Sequence, residues 1–92
     1  MGMSGRSIFL DAVAENPAVT KYVQLFRMPL FLTMLDEEFR QYGDEAWETA
    51  EAAKETAGKV MPATLAQFGV PKEEIDRVID QCVTDFLNNR SA

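Results

Sequence analysis

The residues able to do more than pack are mostly acids, together with one thiol. Asp36, Glu37 and Glu38 run consecutively, Asp44-Glu45 and Glu73-Glu74 form pairs, Cys82 is the single cysteine, and histidine is absent. Paired carboxylates can ligate a divalent cation or divide acid and base roles between them. In a helical bundle such a metal site needs several inward-facing acids, often with a Glu-x-x-His unit. The absence of histidine removes that unit, and these acids fall mainly off the apolar stripes, so they read as solvated helix faces. The calcium-loop spacing of Asp and Asn around a central glycine is also missing. Without histidine there is no Ser-His or Cys-His nucleophile pair and no imidazole ligand for a metal or haem. Ser4, Ser7 and Ser91 have no evident base, and the glycines form neither a phosphate-binding loop nor a dinucleotide fingerprint. Cys82 falls on an apolar stripe, where a small buried side chain is the default reading over a reactive thiol. This inventory predicts no enzyme, no metal and no cofactor.

The elements that would position these groups read as helices throughout. Residues 1–6 (MGMSGR) read as a small, flexible N-terminal segment ahead of a single helical domain over 7–92. A first helix over 7–15 takes Ser7 as N-cap and turns Ile8, Phe9, Ala12 and Val13 inward. Asn16-Pro17 restarts the chain as cap and first helical residue. The second helix carries Val19, Tyr22, Val23 and Phe26 inward, with Lys21 and Arg27 outward. Pro29 then breaks or kinks it, because proline disfavours α geometry at Met28. The third helix carries Leu30, Phe31, Leu32, Met34, Leu35, Phe39 and Tyr42, and Gly43 is placed to stop it. Asp44 caps a fourth helix with Glu45 at its positive end, and Trp47, Ala50, Lys54, Ala57 and Met61 form a thin stripe. Gly58 and Pro62 predict a kink in it. Gly69 ends it, and Pro71 starts the last helix. There Ile75, Val78, Ile79, Cys82, Val83, Phe86 and Leu87 alternate by three and one, which keeps all seven on one face. No stretch alternates with period two, so the expected fold class is all-α, a small compact bundle of four to five helices.

Residues 25–35 stand out. Only Arg27 and Thr33 are polar in this stretch, and a proline interrupts it. Such a segment is either a central helix covered by its neighbours or an adaptable contact surface, since a bundle of 92 residues has little with which to cover a helix on every side. Met28, Leu30, Phe31, Met34 and Leu35 are the candidate partner-binding residues, because flexible Met and large apolar side chains suit an interface.

A net charge of −6 opposes a phosphate backbone, so nucleic acid is not an expected partner. No apolar run approaches the ~20 residues that span a bilayer, and no charged, apolar leader opens the chain. One cysteine allows no intrachain disulfide, and a reducing cytoplasmic setting fits.

Two stretches resemble truncated globins of the short bacterial type. Ser7-Ile8-Phe9-Leu10-Asp11-Ala12-Val13 with Pro17-Ala18-Val19 is similar to the start of those chains. Ala63-Thr64-Leu65-Ala66-Gln67-Phe68-Gly69-Val70-Pro71, followed by Ile75 and Val78, resembles the hinge between their last two helices. The chain is shorter than that family's usual length, its middle does not match, and the proximal histidine has no counterpart. The resemblance therefore implies a remodelled, globin-like helical domain without conventional haem chemistry, and no haem-binding residue carries over.

The sequence thus points to a non-enzymatic acidic helical protein acting by protein–protein contact, as an inhibitor, immunity-type protein, adaptor or accessory subunit. A carrier of an apolar ligand, with Tyr22 and Trp47 among its lining residues, and a homo-oligomer covering the third helix are the alternatives.

Overall fold

The computed structural model describes residues 5–14 and 22–91, leaving aside the side chains of residues 23 and 89–91. The readings at Ser4, Asn16, Pro17, Val19 and Lys21, and of the side chains of Val23 and Ser91, lie outside the described residues. Among the described residues the chain is all-α: α1 (Gly5–Ala14), α2 (Val23–Phe26), α3 (Pro29–Phe39), a 3₁₀ turn (Asp44–Trp47), α4 (Ala50–Gln67) and α5 (Lys72–Ser91), with no strand. Helix α5 packs on α4 and α1, while α3 packs on α4, α1 and α2.

Helix α5 follows its pattern. Ile75, Val78, Ile79, Cys82, Val83 and Phe86 are buried, with Leu87 packed at the edge. Each large side chain on that stripe contributes about 1.5–3 kcal/mol when fully withdrawn from water. Glu73 and Glu74 stand in the first turn, where the helix dipole favours negative charge. Pro71 precedes the helix, and its carbonyl accepts from the Glu74 N–H at 2.9 Å.

The α4–α5 hinge is a closed capping motif. Gly69 has φ +92°, a left-handed conformation that a side chain resists. Its N–H reaches the Ala66 carbonyl at 3.1 Å, and Val70 N–H reaches back to Leu65 at 3.0 Å. These are the two bonds of a Schellman motif, and Val70 and Leu65 are both buried beside it.

Several local expectations are corrected. Helix α1 begins by Gly5, so residues 5 and 6 are helical and Ser7 is an interior residue and not the N-cap. Gly5 lies against Trp47 so closely that a β-carbon would overlap the indole. Arg6 Nε stands 2.8 Å from Asp36 Oδ1, a charge contact not aligned as a hydrogen bond. Together these extend the helix by tertiary contact. Gly43 has φ −82° and does not stop α3, which ends at Phe39. The chain then tightens into a turn, with Tyr42 N–H donating to the Phe39 carbonyl at 3.1 Å. Asp44 opens the 3₁₀ turn, and the cap of α4 is Thr49, whose Oγ1 accepts from Ala52 N–H at 3.0 Å.

Because Trp47 sits on that separate turn, it does not set the phase of α4. The buried face of α4 is Ala53, Thr56, Ala57, Val60, Met61, Thr64 and Leu65, while Ala50 and Lys54 are exposed. Thr56 ties the two pieces together, its hydroxyl lying 2.9 Å from the Ala52 carbonyl and 3.4 Å from that of Ala46. Helix α4 continues through Pro62.

Two aromatic groups fill the interior. Phe9, Phe39, Trp47 and Phe86 bring together α1, α3, the 3₁₀ turn and α5, with centroids 4.8–5.7 Å apart. Tyr22, Phe26, Phe31 and Phe68 form the second, with Phe26 and Phe31 stacked at 5.6 Å. Tyr22 and Trp47, which as ligand-lining residues would have to share one cavity, belong to different groups.

Candidate interaction surface

The proline-broken segment divides face by face. Pro29 occupies the first turn of α3, and Met28 is forced extended, at φ −73° and ψ 122°. Met28 keeps a helical role nonetheless, since its carbonyl accepts from Leu32 N–H at 3.1 Å. Helix α2 is one turn long and ends at Phe26, so it has little surface with which to cover α3.

Of the five candidate contact residues, Phe31 and Leu35 are corrected to core. Both are fully buried, on the i, i+4, i+8 row that ends at Phe39. Phe31 is enclosed by Phe26 and Phe68, whose rings lie 5.6 and 5.3 Å away. The other three stay at the surface. Leu30 is 60% exposed, Met28 is 40% exposed, and Met34 is half-buried one turn beyond Leu30 on the same side of the helix. Leu30 and Met28 are the large apolar side chains exposed among the described residues.

Met34 also forms one wall of a cleft of about 230 Å³ between α3 and α4. Val60, Ala63 and Thr64 supply the facing wall, with Glu38 and Lys59 at its rim. The α4 side of this surface had a faint signal in the sequence. Once Ala57, Met61 and Leu65 face inward, Lys59, Ala63 and Gln67 must face outward at steps of four.

Ion pairs order the flanks. Asp36 holds Arg6 and also Arg40, whose Nε donates to Oδ2 at 3.1 Å, so α1 and α3 are tied on the side of α3 turned away from Met34. Lys59 Nζ lies 3.0 Å from Glu55 Oε1. The hydrogen bond to Glu55, and then its charge, raise the Lys59 pKa above the ordinary lysine value. On α5, Glu74 Oε2 accepts from the Tyr22 hydroxyl at 2.7 Å, and Arg77 donates to the opposite carboxylate oxygen at 2.9 Å.

A larger groove, about 530 Å³, runs along the outer side of α5 past Glu73, Asp76, Asp80 and Asp85. It is wide open, its described lining comes from α5 alone, and it brings no nucleophile to a base. Among the described residues no group of three or more Cys, Asp or Glu side chains is placed to hold a metal ion, and Cys82 is buried in the core. No helix of the described residues is long and apolar enough to cross a membrane. No protein-family model, curated protein or solved structure matches this chain.

Proposed function

We propose that the chain is a non-enzymatic interaction protein, an inhibitor, immunity-type protein, adaptor or accessory subunit, that binds another protein through the apolar edge made by Met28, Leu30 and Met34. The observation that carries this reading is the 60% exposure of Leu30 beside the 40% exposure of Met28, at a point where the neighbouring residue Phe31 is fully buried. Covering two such side chains yields on the order of 1–2 kcal/mol each, enough to anchor a contact that better-placed polar groups then orient. The lack of histidine removes imidazole general bases, which favours a non-enzymatic role, and the charge of −6 supports a protein partner over nucleic acid. A buried Cys82 is compatible with a reducing, cytoplasmic setting.

The test is a photo-activated cross-linker placed at Leu30 in native host cells, with the same group at exposed Thr84 on α5 as control. A discrete adduct from position 30 only, lost on Met34→Ser, supports the reading. Equal labelling from both positions, or none from position 30, overturns it. The same edge could be covered by a second copy. Light scattering across concentrations decides this, since a strict monomer at high concentration removes the homo-oligomer.

A further inference from the structure

We propose that the cleft between α3 and α4 receives a cationic amphipathic helix of a partner protein, its apolar ridge on Leu30, Met34 and Ala63 and its basic residues at Glu38 and Glu45. This rests on the reading of the chain as an interaction protein and adds the chemistry of what it binds. Leu30 and Met34 are one turn apart on α3, and Met34 shares the cleft with Val60 and Ala63 of α4, so the apolar surface runs from one helix across to the other. From Leu30 to Glu38 the row is about 12 Å long, room for two turns of a docked helix.

The charge along the cleft changes in one direction. Glu38 follows Met34 by one turn, and a second cleft of about 360 Å³ begins beside it, sharing Gln41, Tyr42 and Lys59 and adding Glu45 and Glu55. Lys59 is offset by its bond to Glu55. Glu38 and Glu45 have no ion-pair partner among the described residues, so their charge remains for a ligand. A second copy of the chain fits this less well, because it brings a further −6 and, among the described residues, offers beside its own apolar edge Arg27 and a Lys59 already bonded to Glu55. Opposite charge at the rim raises the association rate and selects the partner, while the apolar ridge supplies the affinity.

The experiment titrates the isotope-labelled full chain with an amphipathic Leu/Lys peptide of about five helical turns, and with its Leu/Glu counterpart, following backbone amides by NMR. Saturable shifts are expected at Leu30, Met34, Ala63 and Gln67 with the Leu/Lys peptide. The paired substitution Glu38→Lys with Glu45→Lys, both exposed positions, is expected to weaken binding about tenfold, and salt to weaken it in the native chain. Equal binding of the Leu/Glu peptide, no loss in the charge-reversed chain, shifts confined to Asp76 and Asp80 on α5, or a concentration-dependent dimer would each overturn the proposal. If neither peptide binds while the Leu30 cross-link persists, the cationic helix fails alone; if both are lost, the interaction reading falls too.

Discussion

Leu30 and Phe31 are adjacent in sequence and opposite in consequence, which makes them a sharp test of the fold. Phe31→Ala removes a fully buried ring stacked on Phe26 and edge-on to Phe68, so the cost is the lost transfer energy plus the cavity left behind, about 3–5 kcal/mol. Leu30 is already 60% exposed, and Leu30→Ala forfeits at most about 1 kcal/mol of burial. Domains of this size have about 5–15 kcal/mol in total, so the first change consumes a large share and the second little. Urea unfolding followed by far-UV circular dichroism reads the difference. With a slope near the low end of the usual range, about 1 kcal/mol per molar, Leu30→Ala moves the midpoint by no more than ~1 M. Phe31→Ala moves it by ~3 M or leaves no folded baseline. Equal shifts for the two variants would refute the assignment of faces on α3, and with it the surface on which the functional reading stands.

Three further outcomes rest on local geometry. Thr49→Ala removes the Oγ1 acceptor of the Ala52 N–H and is expected to cost about 1 kcal/mol in the same urea assay, with Thr49→Asn restoring most of it. Gly69→Ala puts a β-carbon where φ is +92° with open space around it, so the cost is backbone strain alone, about 1–2 kcal/mol by thermal or urea unfolding. The Cys82 thiol, fully buried on α5, should react with a thiol-specific chromogenic reagent only at the rate of unfolding, and fast stoichiometric labelling of the native chain would contradict its placement.

What the sequence reveals depends on contrast between residue types. The α5 stripe is legible because isoleucine, valine and phenylalanine alternate with aspartate, arginine and threonine, and the Gly69 stop is legible because few other residues tolerate its backbone. Helix α4 is not legible in the same way. Ala53 and Ala57 are buried while Ala50, Ala63 and Ala66 are exposed, and identical residues carry no period. Only the neighbours, α5 and the 3₁₀ turn, decide the phase. Trp47 misleads for a related reason: it is the strongest apolar signal in its region, yet it anchors a turn and leaves α4 to start at Ala50. The start of α1 is likewise settled at a distance, by Trp47 against Gly5 and Asp36 against Arg6.

Residues 25–35 pose the same problem in reverse, since nearly every side chain there is apolar and the sequence offers two faces where only one can be core. The structure selects Phe31, Leu35 and Phe39 through the contacts of α3 with α1, α2 and α4 and of Phe39 with Trp47, and the proline explains why the remainder stays uncovered. Met28 is held extended, α2 has turned only once, and the described elements leave the outer side of the first turn of α3 open at Leu30. Folding gains little from a leucine at position 30. A polar residue there would forgo at most about 1 kcal/mol and avoid an exposed apolar edge altogether. A residue that stabilises the monomer so little, and that favours contact with other molecules, is the place where stability and function separate. Leu30→Ser should therefore move the urea midpoint by no more than ~1 M while abolishing partner capture by a cross-linker placed at Met28, whereas Phe31→Ala should disturb both together.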